Sequence, residues 1–399
     1  MLISTLGRIP AVRAESSLAF NITLDRFLMT AFCWVLDSGG AGRGAWQGGL
    51  LYELMQWARA NGCYPRIVMG ASAGGYAAAD VATGTHETVM KGWARWGHEE
   101  IPPRARELPE FRSLGGLSRF RSLLYHSIRY VMSARELAGV FDTPAELCTR
   151  LLVFTTRVRR SDGRPFSSRD SLHYFLKSLT RKFPQALKYL PDDYIEDPVI
   201  FGSRLPPSLC NEFVRPLTRV NYHNVIEASC LVPFAMGEPM RAEELLPIWR
   251  GLDPIKPNAC AGEAAWEEMA APYQFSGDAG ASFLDGGFSL KMPFRLFEED
   301  GRFKKLSESL RCEKTIVFCC DPRGHLWETS MRLASLNAWE GVRRAVEEQR
   351  LYILFPDHPV EAGFLSTDNS RTMRTFKRGR EQGQRVLSGD TFKRFVSAT

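Results

Sequence analysis

Gly70-Ala71-Ser72-Ala73-Gly74 places a serine between two glycines at G-x-S-x-G spacing. A hydroxyl nucleophile needs a sharp strand-to-helix turn that lifts its oxygen, with backbone N–H groups aimed at the substrate oxygen. Glycine at 70 and 74 suits that turn, because a Cβ at either place crowds it. The flanks agree: RIVMG (Arg66–Gly70) reads as a short apolar strand and ASAGGYAAADVATG as a helix. The competing reading is a plain small-residue turn, which a chain with 33 glycines also offers.

A second glycine turn, GGAGRG (Gly39–Gly44), also lies between an apolar run and a helical pattern. Bare N–H groups at a helix N-terminus make such a turn an anion cradle. Gly40, Gly42 and Ala45 also satisfy the dinucleotide fingerprint. That site wants a carboxylate ending the next strand, and RIVMG ends in Gly70 and then Ser72. A P-loop is excluded because no G-K-[ST] follows. Late in the chain, Asp285-Gly286-Gly287 follows the apolar pair Phe283-Leu284, so its carboxylate either leaves a short strand toward a site or sits in a simple Asp-Gly turn.

A glycine turn, a serine elbow and a late D-G-G, in that order, resemble the patatin-like phospholipase family. EASCLVPFAM (Glu227–Met236) resembles the family's Ala-Ser…Pro segment ahead of the aspartate, and DGGFSLKMPF its D-G-G with a short turn and proline. FPDHPVEAGFLSTDNSRTMRTFKRGREQG is similar to the C-terminal extension of some bacterial members. The likeness spans about residues 30 to 390, dense at these motifs and thin between them. Ala41 stands where the family has its third glycine, and Lys291 where an asparagine is common.

The resemblance implies a Ser–Asp dyad without histidine. Ser72 attacks an ester carbonyl, and Asp285 takes its proton and returns it to the leaving alcohol. It implies an oxyanion hole on Gly39, Gly40, Ala41, Gly42 and Arg43, with the N–H groups of Gly40, Ala41 and Gly42 as donors. Losing one such donor costs roughly 3 kcal/mol, and alanine at 41 keeps its N–H. Arg43 braces the loop or meets a lipid phosphate. Gly70 and Gly74 shape the elbow, and Gly286 and Gly287 the turn after the aspartate. The substrate is a lipid or phospholipid, with no metal and no organic cofactor. Two rivals stay open. His325, after KTIVFCCDPRG, would complete a Ser-Asp-His triad. Alternatively, Ala41 and Lys291 mark a catalytically silent lipid-binding or scaffold protein on the same fold.

The elements that must position these residues follow from hydrophobic pattern. FLMTAFCWVLD (Phe27–Asp37) is a continuous apolar run that predicts a strand buried on both faces. Leu50, Leu51, Leu54, Met55 and Ala58 then recur at helical spacing, and Gly62 closes that helix. Strand, glycine turn, helix, strand, tight turn, helix predicts a parallel sheet with helices on its faces. RLLVFTTRV (Arg150–Val158) and KTIVFCCD (Lys314–Asp321) supply further strands, and helices are expected near Asn224, over Ser330–Arg350 and after Asn369. The expected fold is a three-layer αβα unit with a mainly parallel central sheet, helical insertions and a helical C-terminal extension. Its divisions are a lead-in over 1–26, a catalytic domain over 27–325 with insertions at about 98–148 and 159–215, and the extension over 326–399.

Composition bounds the function. The chain has 399 residues, 44% hydrophobic and 24% charged, which is ample for a core. No apolar run reaches the ~18 residues of a membrane-spanning helix, and the N-terminus lacks a signal-peptide layout. Fifty-one Lys+Arg against 45 Asp+Glu gives +6, too little for a nucleic-acid footprint. The nine cysteines contain no C-x-x-C pair, which points to reduced thiols and a cytoplasmic protein, peripheral at the membrane at most. Much of the excess charge lies in Arg150, Arg157, Arg159, Arg160, Arg164, Arg169, Lys177, Arg181 and Lys182, and in the tail residues Arg371, Arg374, Lys377, Arg378 and Arg380. These read either as a solvated surface or as a contact with an anionic membrane.

Overall fold

The computed structural model describes residues 31–84, 86–95, 140–141, 149–180, 193–233, 239–245, 278–289, 302–310, 312–320, 343–363, 366 and 368–397. The strands are β1 (Phe32–Leu36), β2 (Ile67–Ala71), β3 (Arg150–Arg160), β4 (Tyr194–Ser203), β5 (Val214–Leu217), β6 (Met240–Arg241), β7 (Ser282–Asp285), β8 (Lys314–Phe318) and β9 (Leu351–Leu354). The helices are α1 (Gly40–Ala60), α2 (Ala73–Thr83), α3 (His86–Arg95), α4 (Ser168–Thr180), α5 (Tyr222–Cys230), α6 (Ala242–Leu245), α7 (Lys304–Ser309), α8 (Asn369–Ser388) and α9 (Asp390–Ser397).

Among the described residues, all nine strands join one sheet whose main order is β5-β4-β3-β2-β1-β8-β9. β1 pairs in parallel with β2 and β8, β2 with β3, and β8 with β9. β4 is antiparallel to β3, and β7 is antiparallel to both β3 and β6.

The continuous apolar strands are explained by two covered faces. Along β1, Phe32, Trp34 and Leu36 enter a core with Trp46, Leu50 and Leu54 of α1, and with Phe376, Phe392 and Phe395 of α8 and α9. Cys33 and Val35 alternate onto the opposite face, with Met69, Phe154 and Leu306 of α7. This is a three-layer α/β fold with a mainly parallel sheet and a helical C-terminal segment.

Two regions differ from the sequence expectation. The stretch 159–215, expected as an insertion, supplies α4 but also β4 and β5 of the sheet. β4 hid because Glu196, Asp197 and Pro198 break its apolar pattern, and Asp197 is spent on a buried ion pair with Arg157 (3.0 Å). Residues 351–354, within the expected helical extension, form β9 beside β8. Within the expected 98–148 insertion only residues 140–141 are described, and 330–342 of the expected Ser330–Arg350 helix lie outside the described residues.

Candidate active site

Ser72 sits between β2 and α2 at φ 57°, ψ −131°. Positive φ is costly for a residue with a Cβ and persists only where the surroundings impose it. Here they do. The Ser72 N–H donates to Ser229 Oγ of α5 (3.0 Å), and that hydroxyl donates to Phe154 O (2.7 Å). Tyr76 N–H donates to Ser72 O (3.1 Å), opening α2. A Cβ on Gly74 would lie 2.4 Å from Leu36 O and 2.5 Å from Asp37 O, so the elbow rests directly on the end of β1. The Ser72 hydroxyl makes no capping bond to α2.

Asp285 arrives from the other direction. β4 pairs with β3 over residues 152–160, so β2 and β7 share the opposite edge of β3. β2 runs parallel and ends with Ala71 opposite Phe154, whereas β7 runs antiparallel and ends with Asp285 opposite Thr155. The C-terminal ends of the two strands therefore meet head-on, one β3 residue apart. A Cβ on Gly286 would stand 3.1 Å from the Ala71 Cβ and 2.2 Å from Phe154 O, which shows how closely they abut.

The Asp285 backbone is pinned by its N–H to Leu231 O (2.9 Å) and by Thr156 Oγ1 donating to its carbonyl (2.9 Å). Its side-chain Oδ1 accepts from Gly287 N–H (2.7 Å). Asp285 and Ser72 are 2% and 4% exposed.

The glycine turn is the first turn of α1 rather than a separate loop. Gly39 is its N-cap and Gly40 adopts φ 62°, a left-handed conformation that suits glycine. Gly40, Ala41, Gly42 and Arg43 thus contribute the first N–H groups of a long helix, which have no partners within it. Arg43 is half-buried and forms no ion pair among the described residues. A Cβ on Gly287 would be 2.6 Å from Ser38 Oγ and 3.0 Å from Asp285 Oδ1, so the residue before the glycines borders the aspartate. Serine elbow, aspartate and helix N-terminus converge at the C-terminal edge of the parallel strands, where open α/β sheets place their ligands.

Several contributors had no role assigned from the sequence. Asp37, fully buried, accepts from Cys320 N–H (3.3 Å) and the Cys319 thiol (3.7 Å), tying β8 to the glycine turn. Ser229 is the serine of the Ala-Ser…Pro segment noted in the sequence, but its part in the elbow appears only with its two partners. Cys230 donates its thiol to Ser72 O (3.2 Å). Burial, then the charges of Asp285 and Glu227, push that thiol well above its ordinary range, so it stays protonated.

The basic clusters are largely consumed in ion pairs. Arg157 pairs with Asp197 and Asp278, Arg160 with Asp162 and Asp170, and Arg164 with Asp162. In the tail, Arg374 and Arg378 share Glu361, Arg380 meets Glu53, and Arg371 meets Asp368. A cavity of about 620 Å³ lies on α4, lined by Arg160, Arg169, His173 and Tyr194 among others, and not at Ser72. His325 and Lys291 lie outside the described residues. Among the described residues no cluster of side chains suited to a metal ion is present, and no helix is long and apolar enough to cross a membrane.

Fold and site together define a three-layer α/β protein with a serine on a strand-to-helix elbow, the strand that carries it ending one β3 residue from the strand that ends in Asp285. The chain belongs to the patatin-like phospholipase family, whose model matches residues 35–297. That family is one of lipid acyl hydrolases. Among solved structures the chain is similar to human GIVD cytosolic phospholipase A2, with a TM-score of 0.46 and 9% identity, covering 97% of this chain and 68% of that one. No curated protein matches it.

Proposed function

We propose that the protein is a serine lipid acyl hydrolase that cleaves carboxylic esters of phospholipids or related lipids through a Ser72–Asp285 dyad. The observation that carries this reading is the head-on meeting of β2 and β7 on one edge of β3, with a strained serine at one end and a buried carboxylate at the other. In the reaction, Ser72 Oγ attacks the ester carbonyl carbon while Asp285 takes the hydroxyl proton. The carbonyl oxygen becomes an oxyanion, which the N–H groups of Gly40, Ala41 and Gly42 stabilise together with the positive end of the α1 dipole. Collapse passes the proton to the leaving alcohol and leaves an acyl-serine. Water then attacks, its proton goes to Asp285, and the fatty acid departs as Ser72 regains its proton. The protonated thiol of Cys230 plays no nucleophilic part.

The reading extends to a peripheral contact with an anionic membrane surface. In its support, α4 exposes Leu172 and Leu176 beside exposed Arg164 and Arg169. The same helix packs Tyr174 on Phe288 (5.6 Å), three residues past Asp285. A cytoplasmic setting fits the free thiols of Cys33, Cys63, Cys210, Cys230, Cys312, Cys319 and Cys320.

The test is hydrolysis of a short-chain nitrophenyl ester and of a phospholipid and neutral-lipid panel by the purified protein and its Ser72→Ala, Asp285→Ala and His325→Ala variants. The dyad predicts loss in the first two and retention in the third. Loss in the third would indicate the triad, and no turnover by the unaltered protein would indicate the silent scaffold.

A further inference from the structure

From β9 the chain runs back along α8 over residues 355–363, antiparallel to the helix, and side chains of α8 hold it at successive points. Gln382 Nε2 donates to Phe355 O (2.5 Å), and Asp357 N–H donates to Gln382 Oε1 (3.3 Å). Arg385 pairs with Asp357. Arg378 donates to Pro359 O (3.4 Å) and to Glu361 Oε1 (2.7 Å), while Arg374 Nε donates to Glu361 Oε2 (2.7 Å). Ala362 N–H ends the run on Thr375 Oγ1 (3.2 Å). α8 is itself fastened to α1 through Trp46 Nε1 to Gln382 Oε1 (2.8 Å) and Arg380 to Glu53 (2.6 Å).

The far end of this segment lies on the glycine turn. A Cβ on Gly42 would stand 2.1 Å from Gly363 O and 2.4 Å from Ala362 O, so the segment's backbone rests on the Gly42 backbone. The turn holds itself poorly: Gly39 makes no side-chain capping bond, the first turn of α1 has no acidic residue, and Gly40 is at positive φ. Its inner side is braced by Cys320, whose Sγ would lie 2.6 Å from a Cβ on Gly39. Its outer side is braced by residues 362–363.

We propose that residues 355–363 form a strap that positions the oxyanion turn, and that Glu361, gripped on both carboxylate oxygens by Arg374 and Arg378, is its positioning residue. The inference rests on the hydrolase reading above. Oxyanion donors act only at hydrogen-bond distance from the developing charge, and a displacement of about 1 Å can cost about a hundredfold in rate. Half-exposed ion pairs contribute little to global stability. The strap therefore governs geometry, and its loss lowers turnover without unfolding the protein.

The experiment uses the full chain. Glu361→Gln, Arg374→Gln/Arg378→Gln and the charge-swapped Glu361→Lys/Arg374→Glu/Arg378→Glu are compared with Lys377→Gln, which breaks the α8 pair with Glu381 outside the strap. Two readouts are taken: kcat and KM on a short-chain nitrophenyl ester, and amide hydrogen exchange over residues 39–43. Glu361→Gln is expected to lower kcat roughly tenfold with KM nearly unchanged and to speed exchange in the turn, with the swap restoring both and Lys377→Gln altering neither. Unaltered exchange over 39–43 in Glu361→Gln overturns the strap whatever the activity, as does unaltered kcat in an active protein. Faster exchange in a protein with no Ser72-dependent turnover keeps the strap and removes the hydrolase reading.

Discussion

Ser229 Oγ stands 3.0 Å from the Ser72 amide and 2.7 Å from Phe154 O, accepting from one and donating to the other. One hydroxyl thus locks the elbow of β2, the strand β3 on which Asp285 is registered, and helix α5. It also occupies the Ser72 N–H, which removes that group as an oxyanion donor; in the proposed mechanism the donors are those of the α1 N-terminus.

Ser229→Ala leaves both buried backbone groups without their partner, at a cost of about 1–3 kcal/mol. A lower Tm and a reduced kcat are expected together. An unchanged melting curve would show that the hydroxyl is not the lock.

Gly74→Ala drives a methyl into the carbonyls of Leu36 and Asp37. The elbow and the end of β1 must separate, with about 1–3 kcal/mol of overpacking strain. Turnover should fall further than stability, because the displaced residues are those of the proposed site. Ester hydrolysis and urea unfolding on one preparation measure both.

Asp278 pairs with Arg157 and with Arg215, all three nearly inaccessible, and so ties β3 to β5 behind the site. Asp278→Ala removes the carboxylate that the two buried guanidinium groups share, while Arg157 keeps Asp197, so the loss should fall at the low end of about 3–5 kcal/mol. The midpoint of urea unfolding is the observable, and a shift equivalent to under about 1 kcal/mol would place the cluster in solvent.

Acid sensitivity should trace to Asp170. Burial works against its charge, but the Ser167 hydroxyl and amide, Arg160 and Tyr194 outweigh it and hold the carboxyl below the usual range. A depressed folded-state value gives stabilisation that is complete above the unfolded pKa, about 4, and lost as pH falls through the folded value. Asp170→Asn should therefore be less stable than the parent at neutral pH, with the gap closing in strong acid. A gap that does not change with pH would assign the effect to packing.

The elbow was legible because its sequence pattern is local: a strand, two glycines four residues apart, and a small-residue helix. The mainly parallel sheet was legible for the same reason, since Trp34, Val35, Val68 and Met69 fill both faces. What stayed hidden depends on partners far away in sequence. β4 carries Asp197 and Pro198 because its charge is answered by Arg157, which no periodicity reveals. The partners of the tail arginines, Glu361, Glu53 and Asp368, are likewise set by the fold. Asp37 ends an apolar strand and Ser229 lies in the Ala-Ser…Pro segment, but what each bonds is set by the fold.

The central claim is that Ser72 is a nucleophile activated at this site. The most direct measurement is covalent labelling by a fluorophosphonate probe, followed by peptide mass spectrometry on the unaltered protein and on folded Ser72→Ala and Asp285→Ala variants. The account predicts a single adduct on Ser72, none in Ser72→Ala, and labelling slowed by about a hundredfold or more in Asp285→Ala. An unlabelled parent protein, or equal labelling in Ser72→Ala, would contradict it.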